Sequence, residues 1–266
     1  MNGPSMLEPR NVGPETDMLS ALLPVPGFGV LPVNAFLVRA AQPMLIDTGL
    51  AGLRSDFLDR LRSTIDPRDL RWIWITHTDP DHLGNLAAVL EEAPQARVVT
   101  TYLGMGKMGL HGLPLDRVYL LNPGQSLDLG DRRITAVRPP TFDAPETTGP
   151  FDKKTGTLFS ADCFGALLAA PAESANDLAP DTLRDGLVTW TTVDAPWLHQ
   201  VDERLFTETL AEVRSLDPKL VLSSHLPPAA GMTETLIAHL ASARTAGPFV
   251  GPDQAAIERM MTGVEA

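Results

Sequence analysis

The chain has 266 residues, of which 44% are hydrophobic and 20% are charged, and this composition is typical of a soluble globular protein with a sizeable core. Its 21 basic and 33 acidic residues give a formal charge of −12. Nucleic acids and anionic membranes need a basic face, so we expect neither as a partner. The single cysteine, Cys163, excludes an intrachain disulfide and a cysteine-rich zinc module, and we expect it to be buried and inert.

The chain start carries no recognisable targeting pattern. Residues 1–17 lack the basic-then-apolar order of a secretion signal, and no apolar run approaches the roughly 20 residues of a membrane helix. We therefore expect a cytoplasmic protein. The same residues are rich in Pro, Gly and Asn and predict a flexible N-terminal arm. Residues 18–266 then predict a single domain.

The first half of this domain predicts alternating strands and helices. A pair of strands within 34–49 precedes a helix over 52–65, whose apolar residues recur at helical spacing. The run RWIWIT at 71–76 predicts a short strand covered on both faces, because nearly all of its residues are apolar. A helix over 84–93 and a strand over 96–101 follow.

The second half changes character. Residues 117–165 alternate short strands and turns, and residues 166–200, rich in Ala, Pro and Asp, predict irregular helix that covers one face. A helix over 202–216, a strand over 218–225 and two closing helices within 232–262 complete the chain. This order indicates an α/β fold built as a layered sandwich, with two sheets inside and helices outside.

Polar chemistry is concentrated directly behind the strand RWIWIT. The segment HTDPDH brings His77, Asp79, Asp81 and His82 to the C-terminal end of a strand, where α/β proteins place their sites. In an extended turn the first three of these side chains face the same side. Carboxylates at such short range repel each other unless a cation lies between them, so the segment predicts a metal site.

This cluster resembles the H-x-H-x-D-H signature of the metallo-β-lactamase superfamily. Three further stretches are similar to landmarks of that fold and stand in the same order. LIDTG contains Asp47, which would support the metal loop through hydrogen bonds; LFSADCFGAL contains a bridging aspartate, Asp162; and KLVLSSHLPP contains a metal histidine, His225. The resemblance implies a four-layer αββα sandwich.

The aspartate at position 79 makes the resemblance more specific to one branch of the superfamily, because most of its hydrolases have histidine there. The oxygen-binding diiron branch, found in flavodiiron proteins, has an acidic residue at that place. The stretch LFSADCFG is also similar to a sequence motif of the same branch. The branch has one more histidine ligand before its bridging aspartate, but the comparable stretch PPTFDAPETTG contains no histidine. Asp143 aligns best with the missing ligand, and Glu146 is the second choice.

The resemblance therefore implies seven ligands around two metal ions, namely His77, Asp79, Asp81, His82, Asp143, Asp162 and His225. Asp81 is the candidate catalytic residue among them. The four carboxylates would balance the charge of two divalent ions, since histidines bind metal in their neutral form. So many oxygen ligands favour iron, with manganese or zinc as alternatives.

The segment 166–200 would cover this site in the predicted fold. Trp190, Trp197 and His199 lie in it, and each either lines the mouth of the site or packs as an ordinary helix residue. The sequence leaves both interpretations open.

Three functions fit these residues. The first is a stand-alone diiron protein that binds, reduces or senses O₂ or NO, without the flavodoxin domain of its relatives and with a separate flavoprotein as electron donor. The resemblance also implies a homodimer. The second is a metal-dependent hydrolase of an ester, thioester, lactone or phosphodiester, in which a metal-bound hydroxide is the nucleophile. The third is a scaffold that binds metal without catalysis.

Overall fold

A computed structural model describes residues 3–262 of the chain. Two β-sheets pack face to face, and helices cover the outer face of each sheet. The chain thus forms a four-layer αββα sandwich, which confirms the predicted fold class. Residues 1 and 2 of the predicted arm and residues 263–266 of the predicted domain lie outside the described residues.

Within residues 3–262, the first sheet has eight strands. They are β1 Ser5–Met6, β2 Arg10–Gly13, β3 Thr16–Val25, β4 Gly29–Val38, β5 Met44–Ile46, β6 Trp72–Trp74, β7 Arg97–Thr100 and β8 Val118–Leu120. The spatial order is β1-β3-β4-β5-β6-β7-β8, and β2 also pairs with β3. Strands β3 and β4 form a long antiparallel hairpin, whereas β5 to β8 run parallel to one another.

The second sheet has six strands in the part of the chain that the structure describes. They are β9 Ser126–Asp128, β10 Arg133–Val137, β11 Gly149–Asp152, β12 Thr157–Phe159, β13 Leu220–Leu222 and β14 Ala229–Ala230. The spatial order is β14-β13-β12-β11-β10-β9. Strands β12 and β13 run parallel, so both end at the same edge of the sheet.

Six of the eight described helices cover the outer faces of the two sheets. The eight described helices are α1 Arg54–Thr64, α2 Pro80–Leu83, α3 Leu86–Glu92, α4 Tyr102–Leu110, α5 Pro180–Asp194, α6 Glu203–Leu216, α7 Thr233–Ala243 and α8 Gln254–Thr262. Side chains of α1, α3 and α4 pack on the first sheet, and those of α5, α6 and α7 pack on the second. Among the described residues, none of these helices combines the length and apolarity that crossing a bilayer requires.

Strand β6 shows why the run WIWI at 72–75 is apolar throughout. Trp72 and Trp74 point into the core between the two sheets, whereas Ile73 and Ile75 point into the core under the helices. Because successive side chains of a strand alternate between faces, a strand that is covered on both sides needs an apolar residue at every position. The prediction of a strand covered on both faces is confirmed.

The structure corrects the predicted flexible arm over 1–17. Strands β1 and β2 lie within it, and the Leu7 amide donates a hydrogen bond to the Ser20 carbonyl over 2.8 Å. These residues are polar and partly exposed, a composition that indicates a loop when the chain is read alone. An edge strand tolerates the same composition, because backbone pairing with β3 stabilises it.

Helix α4 was not predicted. Three glycines, Gly104, Gly106 and Gly109, lower the helix propensity of its sequence. Thr101 caps its start by accepting a hydrogen bond from the Gly104 amide over 3.2 Å. A Cβ at position 104 would lie 2.2 Å from the Thr100 hydroxyl, so close packing at the helix start requires the first glycine.

Candidate metal centre

Four strand ends meet at one edge of the sandwich. Asp47 follows β5 and His77 follows β6 in the first sheet, while Asp162 follows β12 and His225 follows β13 in the second. Parallel neighbours end at the same edge of a sheet, and this edge is where α/β folds carry their sites. The two sheets therefore bring polar loops from four distant parts of the chain into one place.

The short helix α2 turns the cluster HTDPDH back toward the same point. Asp79 precedes the helix, and Pro80 occupies its first position, where a missing amide hydrogen costs nothing. His82 follows one half-turn later and is buried. A segment that is extended at Asp79 and helical from Pro80 can therefore aim both histidines of the cluster inward.

The bridging aspartate of the prediction lies at the centre. His82 Nε2 is 3.0 Å from Asp162 Oδ1, and His225 Nε2 is 3.3 Å from the same oxygen. On the other side, His77 Nε2 is 3.6 Å from Asp162 Oδ2 and 3.9 Å from Asp143 Oδ1. Asp162 thus contacts imidazoles on both of its sides.

The remaining predicted residues form two groups on either side of Asp162. In each group the possible ligand atoms lie within 4.8 Å of one another. The nitrogen-rich group is Asp81, His82 and His225, and the oxygen-rich group is His77, Asp79 and Asp143. The structure therefore brings all seven predicted residues together. That they bind metal stays a prediction.

Four buried polar atoms of this cluster have no hydrogen-bond partner within the described chain. They are the Nε2 atoms of His77, His82 and His225 and Oδ1 of Asp162. A buried polar atom without a partner costs about 1–3 kcal/mol, so proteins seldom keep several in one place without a use. The donor set suits a pair of divalent cations, which would satisfy all four atoms at once.

Hydrogen bonds at the far side of two rings leave these nitrogens free. His82 Nδ1 lies 2.8 Å from Asp47 Oδ2, and His225 Nδ1 lies 2.8 Å from the Pro32 carbonyl oxygen. Because a carboxylate and a carbonyl can only accept, Nδ1 of each ring donates. The neutral ring then presents an unprotonated Nε2 toward Asp162, which is the form that binds metal.

Asp47 also fixes the loop that carries the cluster. Its two carboxylate oxygens accept hydrogen bonds from the Thr76 amide and hydroxyl, each over 2.8 Å. Asp47 adopts a left-handed backbone with φ of 59°, and Ala161 and Phe164, beside the bridging aspartate, do so with φ of 51° and 67°. Such strain in residues other than glycine concentrates at functional sites.

Glu146, the second choice for the missing ligand, has a different position. Its Oε1 accepts hydrogen bonds from the Thr78 hydroxyl over 2.6 Å and from Lys107 Nζ over 2.8 Å. Burial acts to raise the pKa of Glu146, but the bonds from Lys107 and Thr78 outweigh it and lower that pKa. Asp143 lies in the oxygen-rich group instead, while Glu146 holds the loop between His77 and Asp79.

The charges in the cluster influence one another strongly when no cation lies among them. Burial acts to raise the pKa of Asp162, but the three histidines outweigh burial and hold it well below its usual range. Burial acts to lower the pKa of His225, yet the Asp162 carboxylate raises it to about 9. Burial raises the pKa of Asp143, and the nearby charge of Asp162 raises it further.

Two tryptophans of the covering segment contact the site. Trp190 Nε1 donates to the Asp162 carbonyl over 3.1 Å, and its ring centroid lies 4.6 Å from that of His225. Trp197 Nε1 donates to the carbonyl of Phe142, next to Asp143, also over 3.1 Å. His199, in contrast, is exposed, and its Nδ1 bonds to the nearby Pro196 carbonyl.

Sequence reasoning missed one carboxylate. Asp194 is the last residue of α5, is 7% exposed, and has a carboxylate oxygen within 4.8 Å of oxygens of Asp143 and Asp162. Its place one turn after Trp190, in the covering segment, is a signal that could have indicated it. Burial and the charges of Asp162 and Asp143 raise the pKa of Asp194 well above its usual range. Asp194 thus adds a further acidic residue beside the oxygen-rich group.

The fold, together with a polar cluster at the strand ends, defines a protein of the metallo-β-lactamase class. Its family model, described as ODP family beta lactamase, matches residues 31–225. The chain therefore belongs to the ODP family of beta lactamases, and the predicted resemblance to the superfamily is confirmed.

Known flavodiiron proteins have similar structures. The rubredoxin oxygen:oxidoreductase of Desulfovibrio gigas has a TM-score of 0.78 at 21% identity, over 89% of this chain and 61% of that one. The flavodiiron protein from Giardia intestinalis has a TM-score of 0.79 at 16% identity, over 90% of this chain and 60% of that one. At these identities the likeness shows a shared fold, which agrees with the predicted flavodiiron-like branch.

Sequence relatives add a second comparison. The nitric oxide reductase of Moorella thermoacetica is 27% identical over 137 residues, which are 51% of this chain and 34% of that protein. The chain spans between 23% and 48% of the length of the curated relatives that it matches. The likeness to these relatives is therefore a likeness to one part of each.

Proposed function

We propose that the chain is a dinuclear metal protein, with iron as its principal metal, that binds and reduces or senses O₂ or NO. One observation carries the proposal: three imidazole nitrogens and one carboxylate oxygen are buried, face one another and have no hydrogen-bond partner in the described structure. The seven gathered side chains, three imidazoles and four carboxylates, would hold the two ions. Imidazole and carboxylate are ligands that iron and manganese accept.

The chain's own groups would prepare this site in two ways. Asp47 and the Pro32 carbonyl hold His82 and His225 with Nε2 aimed inward, so the rings need no reorientation. Trp190 covers Asp162 and packs on His225, which restricts access of water from that side. Ferrous iron in this centre, when bound, would supply electrons and open coordination positions to a diatomic gas.

The compared proteins support the choice of ligand. Their names state an oxygen oxidoreductase, a nitric oxide reductase and a flavodiiron protein. A flavoprotein as the source of electrons agrees with the flavin in the last of these names. Electron supply by a separate flavoprotein, a homodimer and a cytoplasmic location stay predictions, as does the catalytic role of Asp81.

Metal analysis and gas reactivity test the proposal. Protein purified without added metal should contain two metal ions per chain, and the anaerobically reduced form should change its visible spectrum on exposure to O₂ or NO. His225→Ala should lose both properties, whereas His111→Ala, at an exposed histidine, should keep them. Two zinc ions together with turnover of a model ester would instead favour the hydrolase, and a protein without bound metal would refute both functions.

A further inference from the structure

The two groups around Asp162 offer different donor atoms. The nitrogen-rich group contributes two imidazoles and one carboxylate, whereas the oxygen-rich group contributes one imidazole and two carboxylates. This difference arises because Asp143, the predicted counterpart of a histidine in the related diiron branch, brings a carboxylate to the oxygen-rich group. Two ions that share Asp162 would therefore meet unlike surroundings.

Asp194 increases this difference. One of its carboxylate oxygens lies within 4.8 Å of oxygens of both Asp143 and Asp162, and the side chain is almost completely buried. Three carboxylates at such range repel one another unless a cation lies between them. The buried and unpartnered Nε2 of His77, which faces Asp143 and Asp162, is independent evidence that a ligand belongs on this side of the site.

Charge also separates the two sides. The oxygen-rich group, Asp162 and Asp194 together carry four carboxylates and one imidazole, while the nitrogen-rich group with Asp162 carries two carboxylates and two imidazoles. Carboxylate oxygens suit hard cations such as Mn²⁺, and imidazole suits iron and zinc. Since Mn²⁺ is the weakest binder of the first-row series at most sites, a position that selects it needs oxygen ligands in excess.

We propose that the centre holds two different metals, with iron in the nitrogen-rich group and manganese in the oxygen-rich group, and that Asp194 is a further ligand of the manganese. The inference rests on the proposed dinuclear site and specifies its metals. The inference concerns metal binding alone and includes no electron transfer. It assigns a role to a carboxylate at the end of α5 that lies outside the predicted set.

Competitive loading tests the proposal on the intact chain. Metal-depleted protein is incubated without air with equal excesses of Fe²⁺ and Mn²⁺, and the bound metals are counted by mass spectrometry. We expect one of each, with an EPR signal from a coupled pair of half-integer spin. Diffraction at the absorption edges of the two metals should locate manganese beside Asp143. Two irons, or manganese spread equally over both positions, would overturn the mixed pair and leave the dinuclear function intact, whereas an absence of bound metal would overturn both.

Two variants test the residues. Asp143→His gives the oxygen-rich group a second imidazole and should reduce its ratio of manganese to iron at least about tenfold. Asp194→Asn should weaken Mn²⁺ binding roughly 10–100-fold. Asp185→Asn, at an exposed position of the same helix, is the control and should bind both metals like the unchanged chain. Manganese binding that is unaffected in Asp194→Asn, with circular dichroism showing a folded protein, would exclude Asp194 from the site.

Discussion

Asp47 Oδ2 lies 2.8 Å from His82 Nδ1. Through this hydrogen bond Asp47, which follows β5, orients the imidazole ring of His82, which lies beyond β6 in the chain. We expect Asp47→Asn to lower the affinity for metal about 10–100-fold, because an amide nitrogen facing Nδ1 would remove the acceptor. Asparagine tolerates the left-handed backbone at this position, so the fold should persist. Titration against a chelating dye measures the affinity.

Asp69→Asn, at an exposed aspartate outside the site, is the matched control for this change and should leave the affinity unaltered. An unchanged affinity in Asp47→Asn would contradict the orienting role.

Metal affinity should rise with pH. The Asp162 carboxylate outweighs burial and raises the pKa of His225 from 6.5 to about 9 in the metal-free protein. Since the folded pKa is raised, the bound proton stabilises the metal-free fold below pH 6.5, and that stabilisation is lost as the pH rises through about 9. A metal must displace the same proton, so the affinity should increase by up to about tenfold per pH unit across this window.

Binding measured at pH 6.5, 7.5 and 8.5 checks the expectation, with urea unfolding of the metal-free protein at each pH as an independent readout. An affinity that stays constant over this range would show that His225 carries no proton to be displaced.

The hydrogen bond between Thr78 and Glu146 should stabilise the loop between His77 and Asp79. Thr78→Val keeps the shape of the side chain but removes the hydroxyl that donates to Glu146 Oε1 over 2.6 Å, while the bond from Lys107 to the same oxygen remains. We expect the free energy of unfolding to fall by about 1–3 kcal/mol, measured by urea denaturation of the metal-free protein.

Thr207→Val, on the exposed face of α6, provides the comparison and should change the free energy of unfolding by less than about 0.5 kcal/mol. Equal effects of the two substitutions would indicate that the buried bond contributes nothing specific.

The core between the sheets should be sensitive to truncation at Trp74. This side chain is completely buried, and its Nε1 donates to the Thr148 carbonyl over 3.3 Å. Trp74→Ala should destabilise the fold by about 3–5 kcal/mol through lost burial and the cavity that remains. Leu110→Ala, at a side chain that is 88% exposed, should cost almost nothing, and urea denaturation distinguishes the two.

The sequence indicated the parts of the site that local pattern encodes. The cluster HTDPDH follows an apolar strand directly, so its location at a strand end could be inferred from the continuous apolar run before it. Asp162 and His225 also stand at the ends of predicted strands, and in the structure they follow β12 and β13. Parallel strands bring their ends to the same edge, and the resemblance then grouped residues that are far apart in the chain.

The rest depends on contacts that no local pattern records. Strand β1 looks like a loop until β3 provides a partner for its backbone. Asp194 resembles any acidic residue at a helix end, and only the packing of α5 against the second sheet brings it beside Asp162. The left-handed backbone of Ala161 could not be predicted either, because alanine seldom adopts this conformation.

Strand β4 connects the two sheets at the site, and this has a consequence for assembly. Its Pro32 carbonyl accepts from His225, and Asn34 Nδ2 donates to the carbonyls of Ser223 and Leu226, each over 2.9 Å. Half of the sandwich therefore cannot orient its histidine until the other half has docked. Metal ions would then bind late in folding and hold the two sheets together, so a partly folded chain would bind them weakly.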